Sequence, residues 1–183
     1  SLYPSAQMIY ECAADILGMD LKALCFDGSE AELAQTKVSQ PAIFTTSLVA
    51  LNAMKENGIP YEAVAGHSLG EYAAMVAAGV VTMEDGYRLI KHRAAAMQAC
   101  AEQQDGAMCA VLGMEADEIA KVCESVDGYV VPVNYNSPAQ TAIAGEASAI
   151  EKAAEQFASL GKKCVRLAVN AAFHSKLMQP AAD

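Results

Sequence analysis

The chain has 183 residues, of which 54% are hydrophobic, and a net charge of −10. This length and apolar content are sufficient for the core of one sizeable domain. The negative charge argues against a protein that binds nucleic acid or an anionic membrane surface, because both need a basic face. No apolar run reaches the length of about 18 residues that a transmembrane helix requires, so we expect none.

The six cysteines stand among apolar residues, and no two of them have C-x-x-C spacing. This usage is typical of reduced, buried thiols in a cytoplasmic protein rather than of a disulfide framework or a zinc site. The three histidines, His67, His92 and His174, are not at metal-ligand spacing. We therefore expect no metal in this protein.

The first half of the chain is predicted to be mostly helical. Apolar residues at helical spacing predict a helix over residues 5–17, and Pro41 is suited to the first turn of a helix that ends at residues 57–58. The short apolar run at residues 63–65 predicts the end of a buried strand. A helix-compatible run follows at residues 71–78, and a long helix is predicted from about residue 82 to residue 103.

From residue 106 onward the pattern changes. Strands are predicted at residues 107–112, 129–133, 140–144 and 163–169, with helices at residues 115–126 and 148–160. This β-α-β-β-α-β order is the split ferredoxin-like pattern. A further helix is predicted to begin at Ser175.

Together these elements predict an α/β fold with an α/β-hydrolase-like core, a parallel sheet and an inserted ferredoxin-like small subdomain. The expected domains are a large subdomain over residues 1–104, the small subdomain over residues 105–169, and a return to the large subdomain over residues 170–183.

Residues 66–70, Gly-His-Ser-Leu-Gly, match the pattern G-x-S-x-G between a predicted strand and a predicted helix. In that context the pattern is a nucleophile elbow, which exposes a serine at the N-terminus of a helix. Ser68 is therefore the candidate nucleophile, and the backbone N–H of Leu69 is a candidate donor to an oxyanion. The alternative is an ordinary tight turn in which small glycines flank a serine.

A serine nucleophile needs a base, and His174, on a loop that leaves a predicted strand, is the natural candidate. His67 is expected to be a packed, hydrogen-bonded elbow residue, and it is also kept as a candidate substrate-binding residue. Candidate acids between serine and histidine are Asp105, Asp117 and Asp127, none of which follows an obvious core strand. A Ser–His dyad held by a backbone carbonyl or an amide is equally allowed.

Five short motifs occur together and in order. They are Ser-Gln-Pro-Ala at 39–42, Gly-His-Ser-Leu-Gly-Glu-Tyr at 66–72, Lys-His-Arg-Ala at 91–94, Asn-Tyr-Asn-Ser-Pro at 134–138 and Ala-Phe-His-Ser at 172–175. With these motifs the sequence resembles malonyl-CoA:acyl-carrier-protein transacylases and the acyltransferase domains of fatty-acid and polyketide synthases. The resemblance covers most of the chain.

The resemblance implies roles for the two reactive residues and one cation. Ser68 would be acylated, and His174 would be the base that later protonates the leaving thiol. Arg93 would bind the free carboxylate of a malonyl group, since a guanidinium keeps its charge and binds a carboxylate bidentately. Without the resemblance, the favoured interpretation of Arg93 is a surface arginine in a charged cluster on a helix, and the family match reverses this preference.

The resemblance also implies the lining of a substrate pocket. Gln40 and Asn136 resemble amides of the family's pocket. Phe173 would fill the space that an α-methyl group needs, so we expect a preference for malonyl over methylmalonyl groups.

The implied activity is transfer of a malonyl group from coenzyme A to the phosphopantetheine thiol of acyl carrier protein, in fatty-acid or polyketide synthesis. Malonyl-CoA is then a substrate, and no cofactor is implied. The expected partner is acyl carrier protein, which is expected to be acidic. The basic cluster of Lys162, Lys163 and Arg166 is either its docking site or simply a solvated face.

Two departures from the family pattern predict that the chain is part of a transacylase. The family's opening strand and Gly-Gln-Gly-Ser-Gln loop are absent, and the chain ends soon after His174. Two other functions remain open. One is a serine esterase or thioesterase that uses the same elbow with water as acceptor, and the other is a fragment that binds acyl carrier protein without turnover.

Overall fold

The computed structural model of the protein describes residues 4–183. The first part of the chain contains α1 (Pro4–Leu17), α2 (Leu21–Asp27), α3 (Glu30–Leu33), α4 (Thr36–Glu56), α5 (Gly70–Ala77) and α6 (Met83–Gln103). The rest contains β1 (Gly106–Leu112), α7 (Ala116–Ser125), β2 (Val130–Ser137), β3 (Gln140–Glu146), α8 (Ala147–Ser159), β4 (Lys163–Arg166), a 3-10 turn (Lys176–Met178) and α9 (Gln179–Ala182). The described residues divide into two compact units, the first ending at Ala95 and the second beginning at Ala96.

The first unit is held together by the apolar faces of its helices. Its buried core residues are Ile9, Ala13 and Leu17 of α1, Leu21 of α2, Ala42, Phe44 and Leu48 of α4, and Tyr87 and Ile90 of α6. The rings of Phe44 and Tyr87 meet edge to face, with their centroids 5.0 Å apart. The Tyr87 hydroxyl hydrogen bonds with that of Thr45 at 2.8 Å, and burial raises the pKa of Tyr87, so the phenol stays neutral. These contacts fix α4 against α6.

Helix α4 begins earlier than the sequence predicts. It starts at Thr36, so Pro41 lies inside the helix and not in its first turn. An internal proline removes the hydrogen bond to the carbonyl four residues earlier, here that of Lys37. The helix continues through Pro41 because residues such as Phe44 bury its apolar face, and packing outweighs local propensity. Gln40 consequently lies in the second turn of α4 and is 6% exposed.

The predicted strand before the serine turn does not form. Residues 63–65 are neither helix nor strand, and Val64 is 39% exposed. A strand needs a neighbouring strand for its backbone groups, and residues 4–95 contain no other strand that could pair with it. All strand pairs in residues 4–183 are antiparallel. The parallel sheet predicted for an α/β-hydrolase-like core is therefore not found in the part of the chain that the structure describes.

The second unit contains a four-stranded antiparallel sheet in the order β2-β3-β1-β4. Strand β1 is central: Gly106 pairs with Glu146 of β3, and Cys109 pairs with Arg166 of β4. The predicted element order β-α-β-β-α-β is observed, although the last strand ends at Arg166 and does not extend to Val169. The structure thus confirms an α/β protein with a small antiparallel sheet.

Both faces of this sheet are covered within the second unit. On one face the buried residues of α7 and α8, among them Ile119 and Phe157, pack against β1 and β3 residues such as Val111 and Ile143. On the other face Met108, Ala142 and Ala144 pack with Ala172 and with the partly buried Val133, Leu167, Val169, Phe173 and Leu177. The segment that carries His174 is therefore packed on the sheet of its own unit.

The six cysteines are free thiols, and three of them, Cys100, Cys109 and Cys123, are buried as predicted, whereas Cys12, Cys25 and Cys164 are half-buried. Burial raises the pKa of Cys123 to about 11, so this thiol is protonated at neutral pH. Among residues 4–183, no helix combines the length and the apolar character needed to cross a membrane.

A tight turn leads into α5. The Gly70 N–H donates to the His67 carbonyl at 2.9 Å, and the Glu71 N–H donates to the Ser68 carbonyl at 3.2 Å. A Cβ at Gly66 would lie 2.1 Å from the carbonyl atoms of Gly70 and 2.2 Å from the nitrogen of Glu71. Only glycine fits where two backbone segments approach this closely, so the turn closes directly on the start of α5.

We predict that Gly66→Ala lowers the free energy of unfolding by about 3 kcal/mol, because the opposing atoms belong to the backbone and cannot rotate aside. Gly70→Ala is the matched control, since nothing lies within 4 Å of a Cβ at that position. This control should change stability by less than about 1 kcal/mol. Urea denaturation followed by circular dichroism measures both values, and equal losses would contradict the steric argument.

Candidate active site

Two of the predicted site residues have an unusual backbone. Ser68 has a φ of 54° and His174 a φ of 63°, and they are the only non-glycine residues with positive φ among residues 4–183. The left-handed conformation costs an L-residue about 1–2 kcal/mol. Such strain persists only where the surrounding structure holds it, and it is concentrated at functional sites. The backbone therefore singles out the same two residues that the motifs predict.

The Ser68 hydroxyl lies beside a permanent cation. Arg93, on α6, donates from Nη2 to the Ser68 Oγ at 3.1 Å. Ser68 is half-buried at the start of α5, and the dipole of that helix adds a partial positive charge. An anionic group attached to this oxygen, or a negative charge that develops near it, would meet a guanidinium already in position.

Two further side chains hold the Arg93 guanidinium. Its Nη1 donates a short hydrogen bond to the Oε1 of Gln40, which is buried on α4. Its central carbon lies 5.7 Å from the centre of the Tyr72 ring, within the range of a cation–π interaction. The amide oxygen of Gln40 and the ring of Tyr72 thus hold the planar guanidinium, and its second terminal nitrogen donates to Ser68.

Tyr72 is a site residue that the sequence analysis missed. It stands in the first turn of α5, inside the stretch 66–72 that carries the resemblance. Its place in this motif is the signal that could have marked it as a candidate. Its contact with Arg93 links residues on two different helices, and sequence spacing does not reveal such a contact.

The two residues that flank Ser68 differ in exposure. Leu69, half-buried, is the N-cap residue of α5, where the first backbone N–H groups of a helix have no acceptor within the helix. His67 is exposed, so the expectation of a packed elbow residue is wrong. His67 contributes to the turn through its backbone carbonyl, which accepts the Gly70 N–H, while its side chain lies on the surface.

His174 lies in a turn of the second unit. The Ser175 N–H donates to the Ala172 carbonyl at 3.3 Å, so Phe173 and His174 are the two central residues of a four-residue turn. A positive φ at the second central position is the geometry of a type II turn. The His174 side chain is exposed, whereas Phe173 is half-buried against the second-unit sheet.

The other predicted residues of the second unit are also located. Asn136 is exposed on β2, and its Nδ2 donates to the Oε1 of Gln140 at 3.4 Å. Of the candidate acids, Asp127 pairs with Lys152 at 2.9 Å, and the hydrogen bond from this ammonium lowers the pKa of that carboxyl.

Asp117 lies in the first turn of α7, and the Asp105 carbonyl accepts the N–H of Ala147. These positions do not identify Asp117 or Asp105 as a partner of His174.

The first unit brings Ser68, Arg93 and Gln40 together, as described above, and adds Tyr72. His174, Phe173 and Asn136 belong to the second unit. Residues 4–183 hold no group of three or more His, Cys, Asp or Glu side chains that could bind a metal ion.

Comparison with known proteins identifies one family. Residues 6–183 match the acyl transferase domain. The chain is 39% identical to the malonyl CoA-acyl carrier protein transacylase of Bacillus subtilis (strain 168), over 98% of this chain and 58% of that protein. It is 41% identical to the transacylase of the same name from Escherichia coli (strain K12), over 99% of this chain and 60% of that protein.

A solved structure agrees with these relatives. It contains a malonyl-transacylase in complex with a type II PKS acyl-carrier protein, and it matches 100% of this chain and 60% of its own chain, with 39% identity and a TM-score of 0.94. The chain thus spans 58–60% of the length of these curated relatives. The family match extends over nearly the whole chain and the fold agrees with it, so the chain belongs to the acyl transferase domain family.

Proposed function

We propose that the protein carrying this chain transfers a malonyl group from coenzyme A to the phosphopantetheine thiol of acyl carrier protein. The observation that carries the proposal is the placement of the Arg93 guanidinium 3.1 Å from the Ser68 hydroxyl. A serine beside a fixed cation suits an acyl group that ends in a carboxylate. The names of the relatives, which are malonyl CoA-acyl carrier protein transacylases, support the same substrates.

The reaction proceeds in two half-reactions through an ester of Ser68. His174 takes the proton from the Ser68 Oγ as this oxygen attacks the thioester carbonyl, and the C–S bond to coenzyme A then breaks. The departing sulfur receives the proton from His174. In the second half-reaction the carrier-protein thiol loses its proton to His174 and attacks the ester carbonyl. The C–O bond to Ser68 then breaks, and the Ser68 oxygen takes the proton back from His174. This is a ping-pong mechanism.

The negative charge of each tetrahedral intermediate needs donors that are already in place. The backbone N–H of Leu69 and the N-terminus of α5 are suited to this task, and a single such donor is worth about 3 kcal/mol of barrier. No metal or redox cofactor is implied, and acyl transfer between sulfur and oxygen changes no oxidation state.

Arg93 selects the acyl group. Gln40 and Tyr72 hold its guanidinium beside Ser68, so little freedom is lost when a malonyl carboxylate binds. An acetyl group would leave this cation without an anionic partner in a partly desolvated pocket, which is costly. His67 and Asn136 remain proposed substrate-binding residues, supported by their places in the motifs at 66–72 and 134–138.

Acyl carrier protein is the proposed partner. Since the chain itself is acidic, with a net charge of −10, an acidic partner needs a local basic surface. Lys163 and Arg166 lie at the two ends of the edge strand β4, and Lys162 precedes it. We propose this cluster as part of the docking surface. The six free thiols are typical of a reducing compartment and support a cytoplasmic location.

The finer description of the fold is also a proposal. The element order, the strand order β2-β3-β1-β4 and the packing of α7 and α8 on one face support a ferredoxin-like small subdomain at residues 105–169. We infer a large subdomain over residues 1–104. The return of residues 170–183 to that subdomain stays a prediction for the longer protein, since in this chain Ala172 packs on the sheet of the second unit. The exposed apolar side chains of Ile59 and Val64 support a parallel, hydrolase-like sheet in the longer protein.

The first prediction of this proposal concerns the acyl-enzyme. Incubation of the full-length protein with malonyl-CoA should add the mass of one malonyl group, and Ser68→Ala should abolish the gain because the nucleophile is gone. Ser47→Ala is the matched control, since the Ser47 hydroxyl only donates to a backbone carbonyl within α4. Intact-mass spectrometry measures the gain.

The outcomes separate the rival functions. Absence of acylation, together with retained binding of acyl carrier protein, would replace the transferase with a scaffold. Release of free malonate faster than transfer to the carrier thiol would favour an esterase or thioesterase.

The second prediction concerns Arg93. Arg93→Ala should slow acylation of Ser68 by malonyl-CoA about 100-fold, because the malonyl carboxylate loses its partner. It should not slow acylation by acetyl-CoA, and relief of the unpaired cation should make that reaction equally fast or faster. Arg88→Ala is the matched control on the same helix, where Arg88 pairs with Asp85 on the exposed face. Rapid-quench kinetics with both thioesters measures the rates. Equal slowing of the two substrates would remove Arg93 from the role of carboxylate receptor.

The third prediction concerns Phe173. Its ring precedes His174, so an α-methyl group on the substrate should compete with it for space. Malonyl-CoA should acylate Ser68 at least about tenfold faster than methylmalonyl-CoA, and Phe173→Leu should narrow this ratio. Phe26→Leu, at a site 71% exposed, is the control. Equal rates for the two thioesters with the unmodified protein would refute the proposed selectivity.

A further inference from the structure

The turn that carries His174 is fixed by more than its own backbone. The Ser175 hydroxyl donates to the Ala172 carbonyl at 2.6 Å, and the same oxygen accepts the Leu177 N–H at 3.2 Å. These bonds tie the turn to the 3-10 turn that follows. They act within four residues of His174, so they set the local shape of the turn but do not by themselves fix where it lies on the second unit.

Tyr129 supplies a fixed point from a distant part of the sequence. Its hydroxyl accepts the backbone N–H of Lys176 at 3.1 Å. The ammonium of Lys176 lies 4.0 Å from the centre of the Tyr129 ring, which is a close cation–π contact. One aromatic side chain therefore holds both the main chain and the side chain of the residue that stands two positions after His174.

Tyr129 is itself held firmly by the sheet. Its N–H donates to the Oε2 of Glu146 at 3.0 Å, and its carbonyl accepts the Glu146 N–H at 2.8 Å. A Cβ at Gly145 would lie 2.0 Å from the Tyr129 carbonyl oxygen, so the two backbones are in direct contact. Tyr129 immediately precedes β2, and Glu146 ends β3. The hydroxyl thus projects from a rigid edge of the hairpin.

We propose that Tyr129 is a positioning residue for His174. A left-handed residue is strained, and it keeps one orientation only if the chain on both sides is held. Ala172, 1% exposed and packed on the sheet, holds the chain before His174. Tyr129, through Lys176, holds the chain after it. The inference rests on the proposed function, in which His174 is the base that must reach the reacting oxygen and sulfur.

The experiment uses Tyr129→Phe in the full-length protein. This variant keeps the ring and its contact with Lys176 but removes the acceptor of the Lys176 N–H. The expected result is a kcat for malonyl transfer about tenfold lower, with an unchanged KM for malonyl-CoA and an unchanged melting temperature. This loss is smaller than the 10²–10⁴-fold effect of removing a general base, because the imidazole remains but occupies its productive orientation less often.

A second measurement is independent of turnover. Amide hydrogen exchange at Lys176, followed by NMR, should be about five- to tenfold faster in Tyr129→Phe, and the resonances of the His174 imidazole should shift. Lys176→Met is the companion variant: it removes the ammonium but keeps the backbone N–H, so the exchange at position 176 and kcat should stay near those of the unmodified protein. Tyr10→Phe, which removes a tyrosine hydroxyl from α1, is the control for the chemical change.

Three results would overturn the proposal. The first is a Tyr129→Phe protein with unchanged kcat, whether or not the Lys176 amide exchanges faster. The second is a lower kcat together with a changed KM and a lower melting temperature, which would indicate that Tyr129 has a structural role only. The third result concerns a protein that does not malonylate Ser68, so that the proposed function fails. If the His174 resonances are then identical in Tyr129→Phe and the unmodified protein, positioning by Tyr129 is rejected as well. If they are shifted, positioning by Tyr129 is supported although the proposed function is not.

Discussion

The close approach of two backbone segments at Gly66 is the constraint on which the candidate site depends. Because no side chain fits between residue 66 and the start of α5, the chain must reverse there within a few residues. Ser68 consequently takes a left-handed backbone at the point where the helix begins. The strain at Ser68 and its position beside the partial positive charge of the helix N-terminus thus have one origin, which is the shape of this turn.

The second determinant is the placement of Arg93. An arginine on the exposed face of α6 would be solvated and unselective, as Arg88 is in its exposed pair with Asp85. Arg93 is held instead by the buried Gln40 and by the Tyr72 ring. A lysine would keep the charge but could not satisfy an amide oxygen and Ser68 at once from a planar fork. The geometry therefore requires arginine, and the packing of α4 against α6 through Phe44 and Tyr87 keeps that geometry in place.

How far the sequence predicts this structure depends on the range of the interactions involved. The β-α-β-β-α-β order and the turn at Ser68 follow from local periodicity and glycine placement, and both were predictable. The strand at residues 63–65 was not predicted correctly, because an apolar run indicates a strand only if a neighbour is available for pairing. Tyr72 and Tyr129 were missed for a related reason: their partners, Arg93 and Lys176, are far away in sequence, and no spacing rule links an aromatic ring to a distant cation.

The two strained residues are supported by separate sets of contacts. Ser68 is fixed by backbone packing around Gly66, and these contacts lie within the first unit. His174 is fixed by hydrogen bonds from Ser175 and at Tyr129, all within the second unit. The contacts that hold the Ser68 turn do not involve His174, and those that hold the His174 turn do not involve Ser68. The two strained turns can therefore form independently. Both backbone conformations are thus in place before any substrate binds, and under the proposed function such preorganisation lowers the cost of reaching the transition state.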